Sequence, residues 1–355
     1  MKKIISILLV LVLLLSISAC TAPAVPTEPV STEATAPAET SEPETTEAAP
    51  AESAYPVTLT DHAGRSVTLE ERPQRIVSGY YISTSAVIAL GLKDRLVGIE
   101  AKADKRNIYR LCAPELIELP NVGTAKEFDL EGCIALEPDL VILPLKLQSA
   151  AESLEALGIP VLLVNPESQE LMLSMVELLA QAADAEAEAE ALRTFITQQE
   201  EALAAISGEG KAVYLASNSS LLATAGCNMY QSSLIELAGG INAAAEITDT
   251  YWAEISYEQL LAWDPEYIIL ASDASYSVED VMNDANLASC QAVVNGNVFH
   301  MPNDTEAWDS PVPGGILGAL WLASVLHGDE ISEETASAAV TAFYEQFYGF
   351  TCDLA

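Results

Sequence analysis

Two groups of side chains in this 355-residue sequence are suited to binding chemistry. The first is aromatic: Tyr80, Tyr81, Tyr109, Tyr230, Tyr251, Trp252 and Trp308. They fall in four segments that read as loops following strands: 79–83, 101–109 with 124–128, 228–231 with 250–252, and 303–309. Large rigid rings at loop positions suit a flat or macrocyclic molecule better than a small ion. The second group is basic. Of the 15 Lys and Arg residues, Lys102, Lys105, Arg106, Arg110 and Lys126 lie close together, in a chain whose formal net charge is −37. Such a cluster attracts an anionic group, and arginine can grip a carboxylate or phosphate with two parallel hydrogen bonds. Arg106 and Lys126 are the expected anchors.

Other chemistries are poorly provided for. The sequence has no Gly-x-Ser-x-Gly elbow, no His-Glu-x-x-His pair and no glycine-rich phosphate loop. His300 near Asp304 and Asp309 is the nearest thing to a catalytic constellation, and it lacks a nucleophile. The three histidines are far apart, and Cys112, Cys133, Cys227, Cys290 and Cys352 show no metal-type spacing. Tyr, Met229 or His300 can in principle ligate iron within a ligand, but no resident metal, cofactor or enzymatic activity is expected. The acidic balance argues against nucleic acid as a partner.

The elements that position these residues form a repeat. Short apolar strand candidates at 75–77, 96–99, 140–143, 161–164, 212–216, 267–270 and 298–301 alternate with helical stretches, the pattern of parallel α/β organisation. The run from Asp129 to Leu143 parallels the run from Ser256 to Leu270. Glu131 and Glu258, Pro138 and Pro265, and Leu143 and Leu270 are each 127 positions apart. Each copy reads as a short helix, an acidic-Pro-acidic turn and a buried strand. The expected fold is two α/β lobes with central parallel-type sheets, an N-terminal lobe over 55–165 and a C-terminal lobe over 209–355, with a ligand cleft between them. Residues 166–208, rich in Ala, Glu, Leu and Gln and capped at Asn165-Pro166, are expected to form a single long connecting helix, the alternative being two packed helices with a break near 182–187. A continuous helix of that length spans about 60 Å.

The N-terminus carries an address. Lys2 and Lys3 precede an apolar run that ends in Ile17-Ser18-Ala19-Cys20, so 1–19 reads as a signal peptide. The small residues before Cys20 resemble the lipobox of bacterial lipoproteins, which implies a lipid on Cys20. Residues 21–54 contain no aromatic residue, Lys or Arg. Their Ala, Thr, Pro, Glu and Ser cannot offset the entropy of folding, so 20–54 is expected to be a disordered tether.

The ordered set Tyr55-Pro-Val-Thr-Leu-Thr-Asp61-His-Ala-Gly64-Arg65, Pro73-Gln-Arg75-Ile76-Val77-Ser78, Asn121-Val-Gly123, Leu136-Glu-Pro138-Asp139 and Trp263-Asp-Pro265 resembles class III substrate-binding proteins of ABC importers. These are the iron–siderophore, haem and cobalamin type. The resemblance spans roughly 55–350. It implies a monomeric, extracytoplasmic, lipid-anchored receptor that passes a small-molecule metal chelate to an ABC permease and its ATPase. A ferric siderophore is the leading ligand; haem, a corrinoid or a molybdate-type oxyanion are alternatives, as is a tethered ligand sensor. It also implies that Glu131 and Glu258, one per lobe, dock on arginines of the permease.

Overall fold

A computed structural model describes residues 55–352. The signal segment 1–19, the lipidation candidate Cys20 and the tether 20–54 lie outside the described residues. The fold begins with an antiparallel hairpin of β1 (Val57–Thr60) and β2 (Ser66–Leu69). Its turn is organised by Asp61, which is 4% exposed. The carboxylate accepts from the backbone N–H groups of Ala63, Arg65 and Leu163, at 2.9, 3.0 and 3.0 Å, and pairs with the Arg65 guanidinium. The Arg65 Nη2 also donates to the Val161 carbonyl, so this one turn fastens the hairpin to the first sheet.

That sheet is built from β3 (Ile76–Ser78), α1 (Tyr81–Ala89), β4 (Leu96–Ile99), α2 (Asn107–Cys112), α3 (Leu130–Ala135), β5 (Leu140–Pro144), α4 (Gln148–Glu155) and β6 (Val161–Val164). The strand order is β4-β3-β5-β6, with every pairing parallel. All residues of β5 and β6 are buried, which explains their unbroken apolar runs.

The connection that follows departs from expectation. In place of one long helix there are two, α5 (Gln169–Ala183) and the 19-residue α6 (Glu186–Ala204). Asp184 takes the left-handed conformation, φ 57°, and stops α5. The chain then reverses: Arg193 pairs with Glu177, two positions nearly equidistant from the break. The cause is amphipathic. Leu178, Leu179 and Ala182 on α5 and Ala189, Leu192 and Ile196 on α6 are all buried, and folding back lets both apolar faces be covered. Helix propensity alone could not reveal this, because Ala and Glu on both sides of the break favour helix equally.

The second sheet uses β7 (Lys211–Ala216), β8 (Ala223–Ala225), α7 (Tyr230–Leu237), β9 (Gly240–Asn242), β10 (Trp252–Glu254), α8 (Tyr257–Trp263), β11 (Tyr267–Leu270), α9 (Val278–Met282), α10 (Gln291–Asn295) and β12 (Val298–His300). Strands β9, β7, β11 and β12 run parallel, while β8 and β10 add an antiparallel edge. Helices α11 (Gly315–Leu326) and α12 (Glu333–Phe347) close the chain. The molecule is therefore two α/β lobes with parallel central strands.

The repeat is physical as well as sequential. Glu137 and Asp264, each preceding a proline, both sit at positive φ, 47° and 44°. Two residues on, Asp139 accepts from Gln74 N and Arg75 N at 2.8 and 2.9 Å, and Glu266 accepts from Ala212 N at 3.2 Å. Each acidic-Pro-acidic turn thus seats one central strand against the start of the other: β5 on β3, and β11 on β7.

The hairpin analysis yields a stability prediction. Asp61→Ala leaves three N–H donors without their acceptor and Arg65 with only the more exposed Glu155 as ionic partner, so it should lower unfolding free energy by about 3 kcal/mol, seen as a lower denaturant midpoint at unchanged slope. Burial acts to raise the Asp61 pKa, but its bonds from Arg65 and Leu163 outweigh that and hold it below its ordinary value of 3.8. This stabilisation is present above pH 3.8 and disappears as pH falls below it, so the gap between wild type and variant should narrow in acid.

Candidate functional site

Parallel strands leave a crevice at their carboxyl ends, where loops from neighbouring elements converge. In this molecule β3, β5 and β6 of the first lobe and β7 and β11 of the second end at one shared cleft. Its main chamber has a volume of about 380 Å³. The first lobe contributes Tyr80, Tyr81 and Arg106, the second Met229, Tyr230, Gln231, Trp252, Asp309 and Ser310, and Glu167 enters from the connecting segment. An outer recess continues past Tyr80 and Glu167 to Lys146 and Tyr251.

Tyr80 is the last extended residue before α1 and opens the helix without a side-chain cap. Tyr81 follows as the first helical residue, its ring edge-on to Tyr80 at 5.6 Å between centroids. Burial pushes both phenols above their ordinary range, so they are neutral hydrogen-bonding groups at any physiological pH. The Tyr81 hydroxyl crosses the cleft and donates to Ser310 Oγ at 2.9 Å. Over the same ring lies the Arg106 guanidinium, 3.9 Å from the centroid. Arg106 is half-buried, and among the described residues its side chain forms no ion pair. A guanidinium held on an aromatic face with its N–H donors unspent is an anchor for an oxygen-rich group.

Six of the nine expected ligand residues, Tyr80, Tyr81, Arg106, Tyr230, Tyr251 and Trp252, therefore line the cleft or its recess. Tyr230 is a wall more than a contact: it is 2% exposed, and its hydroxyl donates to Gln169 Oε1 at 3.3 Å. Tyr251 and Trp252 are 55% and 42% exposed and stand at the mouth. Three residues are placed elsewhere. Tyr109 is 1% exposed, its hydroxyl donates to the buried Glu100 at 2.8 Å, and it borders only a small pocket adjoining the chamber at Tyr81 and Arg106. Trp308 is 2% exposed and donates from Nε1 to the Tyr344 hydroxyl at 2.8 Å. In both segments the large apolar ring turns inward while smaller or charged neighbours, Arg106 and Asn107 in one and Ala307 and Asp309 in the other, face the opening. Lys126 is exposed on a turn closed by Thr124 and lines none of the chamber. The basic rim thus reduces to Arg106, with Lys105 in an adjoining small pocket and Lys146 in the recess.

Sequence reasoning missed the acidic side of the cleft. Glu167, Asp273 and Asp309 all border the chamber. Burial raises the pKa of Glu167, and Asp309 is likewise raised even though its Oδ2 accepts from Ser272 N at 3.3 Å. Behind the chamber, Glu306 joins the lobes: it accepts from Ser85 Oγ of α1 at 2.9 Å and from Tyr344 of α12 at 3.2 Å. Burial lifts its carboxyl from 4.5 to about 7. Among the described residues no group of three or more His, Cys, Asp or Glu side chains is arranged to hold a metal ion.

Residues 76–305 match the model of a family described as periplasmic binding protein. The chain belongs to this family. Over 320 residues it is 25% identical to the molybdate-binding protein of Haemophilus influenzae, covering 82% of this chain and 90% of that one. Over 211 residues it is 27% identical to the vitamin B12-binding protein of Yersinia pestis, covering 57% of this chain and 71% of that one. Among solved structures, a periplasmic solute-binding protein from Veillonella parvula superposes with a TM-score of 0.71 at 26% identity, over 83% of this chain and 94% of that one. The molybdate-bound Haemophilus protein shares the fold with a TM-score of 0.73 at 23% identity, over 84% of this chain and 99% of that one. Membership accords with the class III importer resemblance, and the relatives are solute binders. Among the described residues no helix is long and apolar enough to cross a membrane.

The two surface acids of the repeat occupy matching places: Glu131 and Glu258 are both exposed in the first turns of α3 and α8, after the N-caps Asp129 and Ser256.

The buried Glu306 has a measurable consequence. A carboxyl whose pKa is raised in the folded state stabilises fully below its unfolded value, and that contribution is lost as pH rises through the folded value. Wild-type stability should therefore fall between about pH 4.5 and 7, by at most about 3 kcal/mol, relative to Glu306→Gln. Thermal unfolding of both proteins across that range checks it; parallel curves would count against a titrating Glu306.

Proposed function

We propose that this protein is an extracytoplasmic receptor that captures a metal chelate, a ferric siderophore in first place, and delivers it to an ABC permease and its ATPase. The observation that carries the reading is the cleft itself. A chamber of about 380 Å³ at the strand ends, with aromatic walls and a guanidinium that forms no ion pair among the described residues, falls in the usual size range for small-molecule sites. Membership in the periplasmic binding protein family supports capture over catalysis. In this reading residues 1–19 are a signal peptide, Cys20 carries lipid, and 20–54 tethers a monomeric body of two lobes, 55–165 and 209–355, linked through 166–208.

The vitamin B12-binding relative makes a corrinoid a reasonable competitor, and haem has the same aromatic requirements. Molybdate is the second reading, favoured by the long match to the Haemophilus protein. One tetrahedral oxyanion would occupy only a small part of the chamber and would leave the rings of Tyr80 and Trp252 uncovered.

Native mass spectrometry of the full chain with a ferric trihydroxamate, haemin, cyanocobalamin and molybdate tests the reading directly. Arg106→Ala should weaken the preferred ligand at least tenfold, about 1.4 kcal/mol, while Lys126→Ala should leave affinity unchanged. Equal effects of the two would contradict the assignment of Arg106 as anchor.

Delivery makes a separate demand. Glu131 and Glu258 are assigned to permease docking, and the double change Glu131→Arg with Glu258→Arg should abolish cellular uptake while ligand affinity stays intact. Undiminished uptake by that variant would remove the docking role.

A further inference from the structure

The cleft keeps opposite charges apart. On the first-lobe side Arg106 has unspent donors above the Tyr81 ring. The rest of the chamber lining includes three acceptor groups, on Gln231, Asp309 and Glu167. Gln231 is 7% exposed; its Nε2 donates to the Asp309 backbone carbonyl at 2.8 Å, while its Oε1 is buried without a hydrogen-bond partner among the described residues. The amide orientation is set by that bond, since reversing it would bring two acceptors together. Asp309 borders the same chamber, and Glu167 closes its side. Among the described residues neither carboxylate forms an ion pair, although Glu167 feels Lys146 in the outer recess.

Buried acceptors without donors are costly, by roughly 1–3 kcal/mol each. Charges of both signs that share a chamber without pairing are also costly unless something bridges them. A ligand that removes both costs carries acceptor or anionic oxygen on one face and N–H donors, as ammonium or amide, on the other. We infer that the cleft is specific for such a two-faced chelate, with its oxygen-rich face on Arg106 and its donor-bearing periphery on Gln231, Asp309 and Glu167. This inference rests on the chelate reading above and narrows it. A bare tetraoxyanion offers acceptors on every side, so it satisfies Arg106 but leaves Gln231 Oε1 unpaired and faces two carboxylates. A ferric polycarboxylate fails for the same reason.

The test uses the full chain and four probes: a ferric trihydroxamate with a pendant ammonium, the same chelate with that amine succinylated to a carboxylate, ferric citrate, and molybdate. Tryptophan fluorescence titration should show the ammonium chelate binding at least tenfold more tightly than its succinylated form, and ferric citrate and molybdate weaker still. Glu167→Gln should reduce the ammonium preference at least threefold, whereas Arg106→Gln should weaken both trihydroxamates without changing their ratio. Molybdate or ferric citrate binding as tightly as the ammonium chelate would overturn the two-faced cleft. So would a ratio unmoved by Glu167→Gln. If the folded protein takes molybdate alone and neither trihydroxamate, the chelate reading fails as well. If both trihydroxamates bind equally, only the division of charge fails and the chelate reading stands.

Discussion

Two carboxylates buried on either side of α1 have to be supplied with hydroxyl donors, and the architecture of the cleft follows from how that is done. Glu100 takes Thr84 Oγ1 at 2.7 Å and the Tyr109 hydroxyl at 2.8 Å. Glu306 takes Ser85 from the first lobe and Tyr344 from α12. An unpaired buried carboxylate would cost several kcal/mol, so α1 cannot rotate or shift without breaking one set or the other. That constraint explains why a helix as apolar as α1 buries Thr84 and Ser85. It also fixes the first residues of α1, Tyr80 and Tyr81, and through the Tyr81 ring it places Arg106.

The lobes are therefore joined by more than the helical connection. Tyr81 to Ser310, Ser85 to Glu306 and Asn107 to the Asn303 carbonyl all cross between them. The Tyr348 hydroxyl adds a fourth bond to Ser85. Two of these four contacts, both at Ser85, are buried, whereas Tyr251 and Trp252 at the mouth are exposed.

Much of this was readable beforehand. Alternating apolar strands and helices specify parallel α/β lobes, because a strand covered on both faces must be apolar throughout. The matching acidic-Pro-acidic turns specify a repeat, because each acid caps the backbone of a neighbouring strand. The four cleft segments were also identifiable, since strand ends in such sheets face one crevice. Within those segments individual residues were harder to assign. Tyr109 and Trp308 resemble Tyr80 and Trp252 in type and position, yet they point inward because buried Glu100 and Tyr344 require their donors. Those requirements come from residues outside each segment, nine positions away for Glu100 and 36 for Tyr344.

Taken by itself, the chain determined its lobes, its repeat and the loops that meet at the cleft, because these depend on local periodicity and on turn chemistry within a few residues. Tertiary structure alone decided that the connection folds back at Asp184, that Lys126 stays outside while Arg106 rests on Tyr81, and that acceptors from the second lobe share the chamber with that guanidinium. Each of those outcomes depends on which surfaces must be buried together and which polar groups they leave to be satisfied, and neither is expressed in the spacing of residues along one segment.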